Sequence, residues 1–237
     1  MKPYVLSLLL LGMSVLFITL AYEPNTKLYH ITFKETDEPI HPLLDKMLDF
    51  LHRQGSDINI LDYEDSELNR FYEFIHQPTL HQNDIVLVTR ADTCVMVKSH
   101  KEIRKKFKLQ QTPILFSGAC NKTDTLEKER IDSFPILESS MFIGRVWALR
   151  VCFSGYQKDI EIDTNTFWKT SHVQTPNLIK IDTDSQLFLC ADGIEKKNIH
   201  FDRFEGDIHY VNTDTHPYLV SAEDPAYLHT VVSRWRE

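Results

Sequence analysis

The residues best placed to do chemistry are Arg90 and Asp92. They follow an apolar run, Asp84-Ile-Val-Leu-Val88, that reads as a strand buried on both faces. In a sheet built with crossover helices, ligands sit outside the carboxyl ends of the strands. Chemistry is therefore expected just after Val88, Ser117 and Val220. The Asp92 carboxylate is an oxygen ligand of the kind hard divalent cations take. The Arg90 guanidinium can hold a diphosphate through paired hydrogen bonds. Other chemistries lack their residues. The 11 histidines are scattered, and no His-x-x-x-His pair sits with a third ligand, which argues against zinc. Cys94, Cys120, Cys152 and Cys190 form no Cys-x-x-Cys pair. Ser117-Gly118 and Ser154-Gly155 lack the Gly-x-Ser-x-Gly elbow of hydrolases.

The elements that must position these residues alternate in type. Residues 27–33 read as a first strand. Residues 42–51 put Leu43, Leu44, Met47, Leu48 and Leu51 on one helical face, with Pro42 at the first helical position. A second short strand covers 57–61. A helix over 67–75 spaces Leu68, Phe71, Tyr72 and Ile75. After the strand at 84–88, a helix is expected over 99–107; the basic run Arg104, Lys105, Lys106 and Lys108 at its end reads as a solvated face. Residues 113–117 form another buried strand. Further on, helices are expected over 143–152 and 184–189, and strands over 207–211 and 218–220. Strands alternating with helices argue for a parallel sheet with crossovers. Trp147 and Trp168 read as packing residues rather than sugar platforms.

The whole chain has 237 residues, 42% hydrophobic and 25% charged, which suits one globular domain. A formal net charge of -8 with no compensating basic stripe excludes nucleic acid as the main partner. Lys2 precedes an apolar run over 4–21, with small residues Thr19 and Ala21 at its end. This reads as a signal peptide cleaved after Ala21 or, because the run is long, as an uncleaved anchor. The chain divides accordingly into residues 1–21 and a domain over 22–237. The domain is expected in the endoplasmic reticulum lumen or secreted, touching a membrane only if the anchor stays. Asn121-Lys-Thr123 is a glycosylation sequon that fits this compartment. Lumenal conditions allow disulfides, and either a pairing of the cysteines or buried free thiols is compatible with the sequence.

Several strings then fall in a telling order: His30-Ile-Thr-Phe-Lys-Glu-Thr36, Asp84-Ile-Val-Leu-Val leading to Asp92, Ile114-Leu-Phe-Ser117, Leu137-Glu-Ser-Ser-Met-Phe-Ile-Gly144, Asp184-Ser-Gln-Leu-Phe188, Asp214-Thr-His-Pro217 running on to Pro225, and Trp235. Together they resemble the glycosyltransferase domain of the procollagen-lysine 2-oxoglutarate 5-dioxygenases, the lysyl hydroxylases, and more distantly the collagen galactosyltransferases. The resemblance covers almost all of residues 22–237. It implies an α/β domain of GT-A-like, Rossmann-type architecture, with a mixed sheet and flanking helices. It also implies a UDP-sugar donor, Mn²⁺, and a collagen-like acceptor or an active family member as partner.

The family's metal turn is Asp-x-x-Asp, which reads here Thr89-Arg-Ala-Asp92, so Asp92 alone is left as a metal ligand and Arg90 stands beside it. The family's later histidine falls on Ser221, in Ser221-Ala-Glu-Asp-Pro225, where Glu223 or Asp224 could supply a carboxylate instead. The family's donor-contacting Asn-Ser-Gly-Gly reads Glu138-Ser139-Ser140-Met141, which removes both glycines. The donor loop after the second strand is shortened to residues 62–69. Asp184 is the candidate to face acceptor or sugar, or else a helix cap. The sequence therefore points to a diverged, weak or inactive glycosyltransferase-like domain. Two alternatives stay open. One is an active transferase with an altered or metal-free site in which Arg90 replaces the cation. The other is an unrelated secreted α/β binding protein.

Overall fold

The computed structural model describes residues 26–37, 39, 41–90, 92–119, 136–202, 207–224 and 228. The N-terminal segment, Cys120, the sequon at Asn121, Pro225 and Trp235 lie outside the described residues.

The central sheet has the order β2-β1-β3-β6-β5-β7. Its strands are β1 (Leu28–Glu35), β2 (Ile58–Tyr63), β3 (Ile85–Arg90), β5 (Ile114–Ala119), β6 (Ile136–Arg145) and β7 (Ile179–Asp182). β1 runs parallel to β2 and β3, and β5 runs parallel to β7. β6 alone runs antiparallel, between β3 and β5. This is the mixed Rossmann-type α/β sheet that the sequence implied. From β1 the chain goes outward to β2, then returns to β3 on the other side of β1. The order thus switches direction between β1 and β3, and a crevice opens at such a point.

Helices cover both faces. Along β3, Val86 and Val88 face the cluster built on α2 (Glu67–Ile75), α4 (Val146–Cys152) and α5 (Thr164–Gln174), with Phe71, Phe116, Phe142 and Trp168 at its centre. Ile85 and Leu87 face α1 (Pro42–Arg53) and α3 (His100–Leu109), packing with Leu44, Met47, Ile103 and Phe107. The period-2 geometry of a strand makes this division. Helix starts are written locally. Ser66 caps α2, Asp163 caps α5, and Ser99 with Glu102 forms a reciprocal capping box on α3. A second sheet, β4-β11-β8, joins β4 (Cys94–Met96), β11 (Leu219–Ser221) and β8 (Phe188–Cys190). β9 (Ile199–Asp202) and β10 (Asp207–Tyr210) form an antiparallel ribbon.

Two expected helices are corrected. Residues 136–145 are strand β6, and helix α4 starts only at Val146. Met141, Phe142 and Ile143 lie in a central strand buried on both faces, so they form a continuous apolar run that periodicity cannot assign. Over 184–189 there is no helix. The chain turns after β7 and enters β8. Asp182 drives that turn by accepting from the amides of Gln186, Leu187 and Phe188 at 2.9, 2.6 and 2.8 Å.

Trp168 is 1% exposed and lies 4.9 Å from Phe142, ring centre to ring centre, so it is a core residue. Trp147 packs at the edge of the same cluster. Cys94, Cys152 and Cys190 are free thiols, and burial pushes Cys94 and Cys190 up to about 12. The basic face of α3 is only partly solvated, since Arg104 donates to the Thr26 carbonyl at 2.7 Å and Lys106 lies over the Tyr218 ring.

Candidate functional site

A cleft of about 470 Å³ opens where the strand order switches. β1 contributes its last residues, Phe33, Lys34 and Glu35, and β2 contributes its last, Tyr63. Glu67, the first residue of α2, and Arg90, the last of β3, both line it. Asp92 and Thr93 follow from the turn after β3. His41, Pro42 and Leu44 come from the start of α1, and Glu223 from just past β11. The volume lies in the range of ligand sites.

Arg90 is the centre of the charge pattern. Its Nε lies 3.6 Å from Oδ1 of Asp92. Burial works against its charge, but the carboxylates of Glu67 and Asp92 outweigh burial and raise its pKa. Burial likewise raises the pKa of Glu67, against the pull of Arg90 and hydrogen bonds from Thr164 and Tyr63. Arg90 and Glu67 also line a small adjoining pocket with Phe33, Phe71, Phe142 and Trp168 beneath it.

The structure sorts the sequence candidates. Arg90 and Asp92 come together in the cleft. Ser139 joins Arg90 in the adjoining pocket, where its hydroxyl donates to Asn165 at 2.5 Å. Glu138 lines neither pocket. It accepts from the Ser140 amide at 3.1 Å, and its charge acts on Cys190. Asp184 is exposed on the turn after β7, takes a hydrogen bond from Thr183, and neither lines the cleft nor caps a helix. Asp182, the buried member of the pair, accepts the backbone amides of the turn, and no helix follows for Asp184 to cap.

The donor set does not fit a divalent cation. Thr89 stands where the resembled family has its first carboxylate, but its side chain is fully buried and its hydroxyl lies 2.8 Å from Nε2 of His30. It points into the core, on the sheet face opposite Arg90. Ser221 pairs with Cys94 across β11 and β4, which brings the end of β11 near the turn that bears Asp92. The Ser221 hydroxyl is buried there without a hydrogen-bond partner. Asp92 and Glu223 are left as carboxylates near that corner. Among the described residues no group of three or more His, Cys, Asp or Glu side chains is arranged to hold a metal ion.

Lys34, Glu35, Tyr63 and Glu67 were not singled out from the sequence. A signal for them existed. They sit at the carboxyl ends of β1 and β2 and at the first helical residue beyond, which the strand-end rule covers equally with β3.

No family model matches the chain, and no curated protein sequence matches it. Among solved structures, a glycosyltransferase involved in glycosylating the major capsid of PBCV-1 is similar with 10% identity and a TM-score of 0.48, over 87% of this chain and 99% of that one. The galactosyltransferase LgtC with donor and acceptor sugar analogues is similar with 9% identity and a TM-score of 0.45, over 88% and 96%. A197 from STIV gives 11% and 0.42, over 84% and 95%. At these scores the likeness carries no functional argument. What this chain does is argued from the cleft.

Proposed function

We propose that this chain is a glycosyltransferase-like domain of the procollagen hydroxylysyl type that takes a nucleoside-diphosphate sugar into the β1/β3 cleft and transfers sugar weakly or not at all. The supporting observation is the orientation of Thr89. Its side chain serves the core, so Asp92 is left without the first of its expected companions and is paired with Arg90 instead. The nucleotide part of the reading rests on the cleft's place at the strand-order switch and on the guanidinium that lines it. The resemblance of the ordered strings points to the lumen of the secretory pathway. There such a domain would serve as a binding module for a collagen-like protein or for an active family member. A second reading, an active transferase using Arg90 in place of a cation, is favoured by the same guanidinium.

The test is a calorimetric titration of the purified protein with UDP, with and without Mn²⁺, beside an assay of transfer from UDP-galactose and UDP-glucose. Binding that ignores Mn²⁺ and is lost in Arg90→Ala, without transfer above background, is the expected result. Transfer that Arg90→Ala abolishes selects the second reading. Absence of UDP binding in either condition overturns both.

A further inference from the structure

We propose that a second cavity, walled by α4, α5 and the loop between them, binds a neutral saccharide. It shares no lining residue with the cleft, so its ligand is independent of the nucleotide reading.

The cavity measures about 450 Å³, within the range of ligand sites. Val151 and Cys152 come from the end of α4, and Ser154, Gln157, Ile160 and Ile162 from the loop. α5 supplies Phe167, Thr170, Ser171 and Gln174, while its Thr164 and Trp168 border the small pocket that Arg90 lines. The loop is held in place from α2. The Tyr156 hydroxyl donates to Oδ1 of Asn69 at 2.8 Å, and Nδ2 of Asn69 donates to the Lys158 carbonyl at 3.5 Å. A wall fixed in advance lowers the ordering cost of binding.

The ligand is uncharged, because no charged side chain lines the cavity. The loop does carry charges, but they are engaged elsewhere or face away. Lys158 pairs with Glu73 at 2.8 Å, and Asp163 caps α5. An ion entering the cavity would lose hydration and find no counter-charge.

The ligand also both donates and accepts hydrogen bonds. Ser154, Gln157, Thr170, Ser171 and Gln174 all border the cavity, and their side chains make no hydrogen bond among the described residues. Ser171 is only 5% exposed, so water does little for its hydroxyl, and an unpaired buried hydroxyl is costly. Serine, threonine and glutamine side chains each offer donor and acceptor together. Hydroxyl groups match them in both roles. Beside these groups the cavity is apolar: Val151 and Ile160 are 45% and 56% exposed, with Ile162 and Phe167 next to them. A sugar ring has the matching pair of surfaces, a C–H face for the apolar side chains and hydroxyls for the polar ones.

The experiment applies the full-length protein to an array of immobilised glycans, neutral ones beside their sialylated and sulfated forms. Ser171→Ala removes the buried hydroxyl, Gln174→Ala removes an exposed amide, and Thr170→Arg places a long cation at the opening. Circular dichroism checks the folding of each variant. Neutral glycans should be retained and their charged forms bound less. Each alanine variant should weaken retention about two- to tenfold, and Thr170→Arg should abolish it. Calorimetry then compares the best neutral glycan free and linked to a carrier protein. Equal affinity assigns the cavity to the sugar alone, and binding of the linked form only assigns it to a glycoprotein. Retention of no neutral glycan overturns the proposal. So does a neutral glycan held equally by wild type and all three variants, since binding then lies elsewhere.

Discussion

The hydroxyl of Thr89 lies 2.8 Å from Nε2 of His30, and both residues are completely buried. That one contact decides which way the strand end faces. Residue 89 belongs to the core and residue 90 to the cleft. A carboxylate introduced at 89 would therefore meet an imidazole, not a ligand. Thr89→Asp is expected to lower stability by about 2–4 kcal/mol in urea unfolding, through burial of a charge. It should confer no Mn²⁺ binding by calorimetry. A gain of Mn²⁺ affinity in this variant would show that the side chain can reach the cleft.

The same histidine reaches outward to the start of α3, with Nδ1 of His30 3.0 Å from Nε2 of His100. Burial, then the charge of His100, holds His30 well below its usual range. Burial brings His100 from 6.5 to about 4, against the pull of Asp57. Both imidazoles are neutral when folded, while the unfolded chain protonates them near pH 6.5. Stability is thus complete above that pH and declines as pH falls from about 6.5 toward 4, by up to about 1.4 kcal/mol per pH unit for each histidine. Glu67 and Asp182, raised by burial, act with the opposite sign, because the folded state takes up their protons first. Urea midpoints measured across this window should fall less steeply in His100→Asn than in wild type. Equal slopes would remove His100 from the account.

Asp182 and Asp184 stand two residues apart and do different work. Asp182 satisfies three backbone amides from inside the turn. Its replacement by Ala should cost about 2–4 kcal/mol, since charge-assisted bonds are lost and buried donors are orphaned. Asp184→Ala, on the exposed face, should change stability by less than about 0.5 kcal/mol. Chemical denaturation of the two variants, side by side, checks the contrast.

Gly144 sits in β6 where it crosses between Ile114 and Leu149. A methyl group there would lie 3.1 Å from carbons of both side chains. Neither neighbour has free space in a packed core, so Gly144→Ala is expected to lose about 1–2 kcal/mol, read as a lower midpoint in thermal or urea unfolding. An unchanged midpoint would mean that the two side chains repack freely.

The first half of the fold was legible because its signals are local. Pro42 opens α1, Ser99 and Glu102 box α3, and the apolar runs at 84–88 and 113–117 are bounded strands. Much of the second half was not, for three physical reasons. β6 is apolar on both faces and lacks the alternation that marks a strand. The strands expected over 207–211 and 218–220 are there as β10 and β11, but β8, like β4 before it, is three residues long, too short for any period, and forms only by pairing. α5 buries little beyond Phe167, Trp168 and Ser171, so its apolar stripe is thin. At the site, Arg90 and Asp92 were visible as a strand end. Glu67 was not, because it opens the helix after β2 and only the sheet order brings that helix start to the cleft that Arg90 lines.

The wall of the cleft is stapled by segments that are far apart in the chain. Val95 of β4 pairs with Val220 of β11, and the Ala222 amide donates to the Thr93 carbonyl at 3.0 Å. During synthesis β1, β2 and β3 can leave the ribosome and pair long before β11 exists. The turn bearing Asp92 then waits, without its staple, until residues 219–222 are made. That part of the cleft wall is therefore completed later than the ends of β1, β2 and β3 that form the rest of the lining.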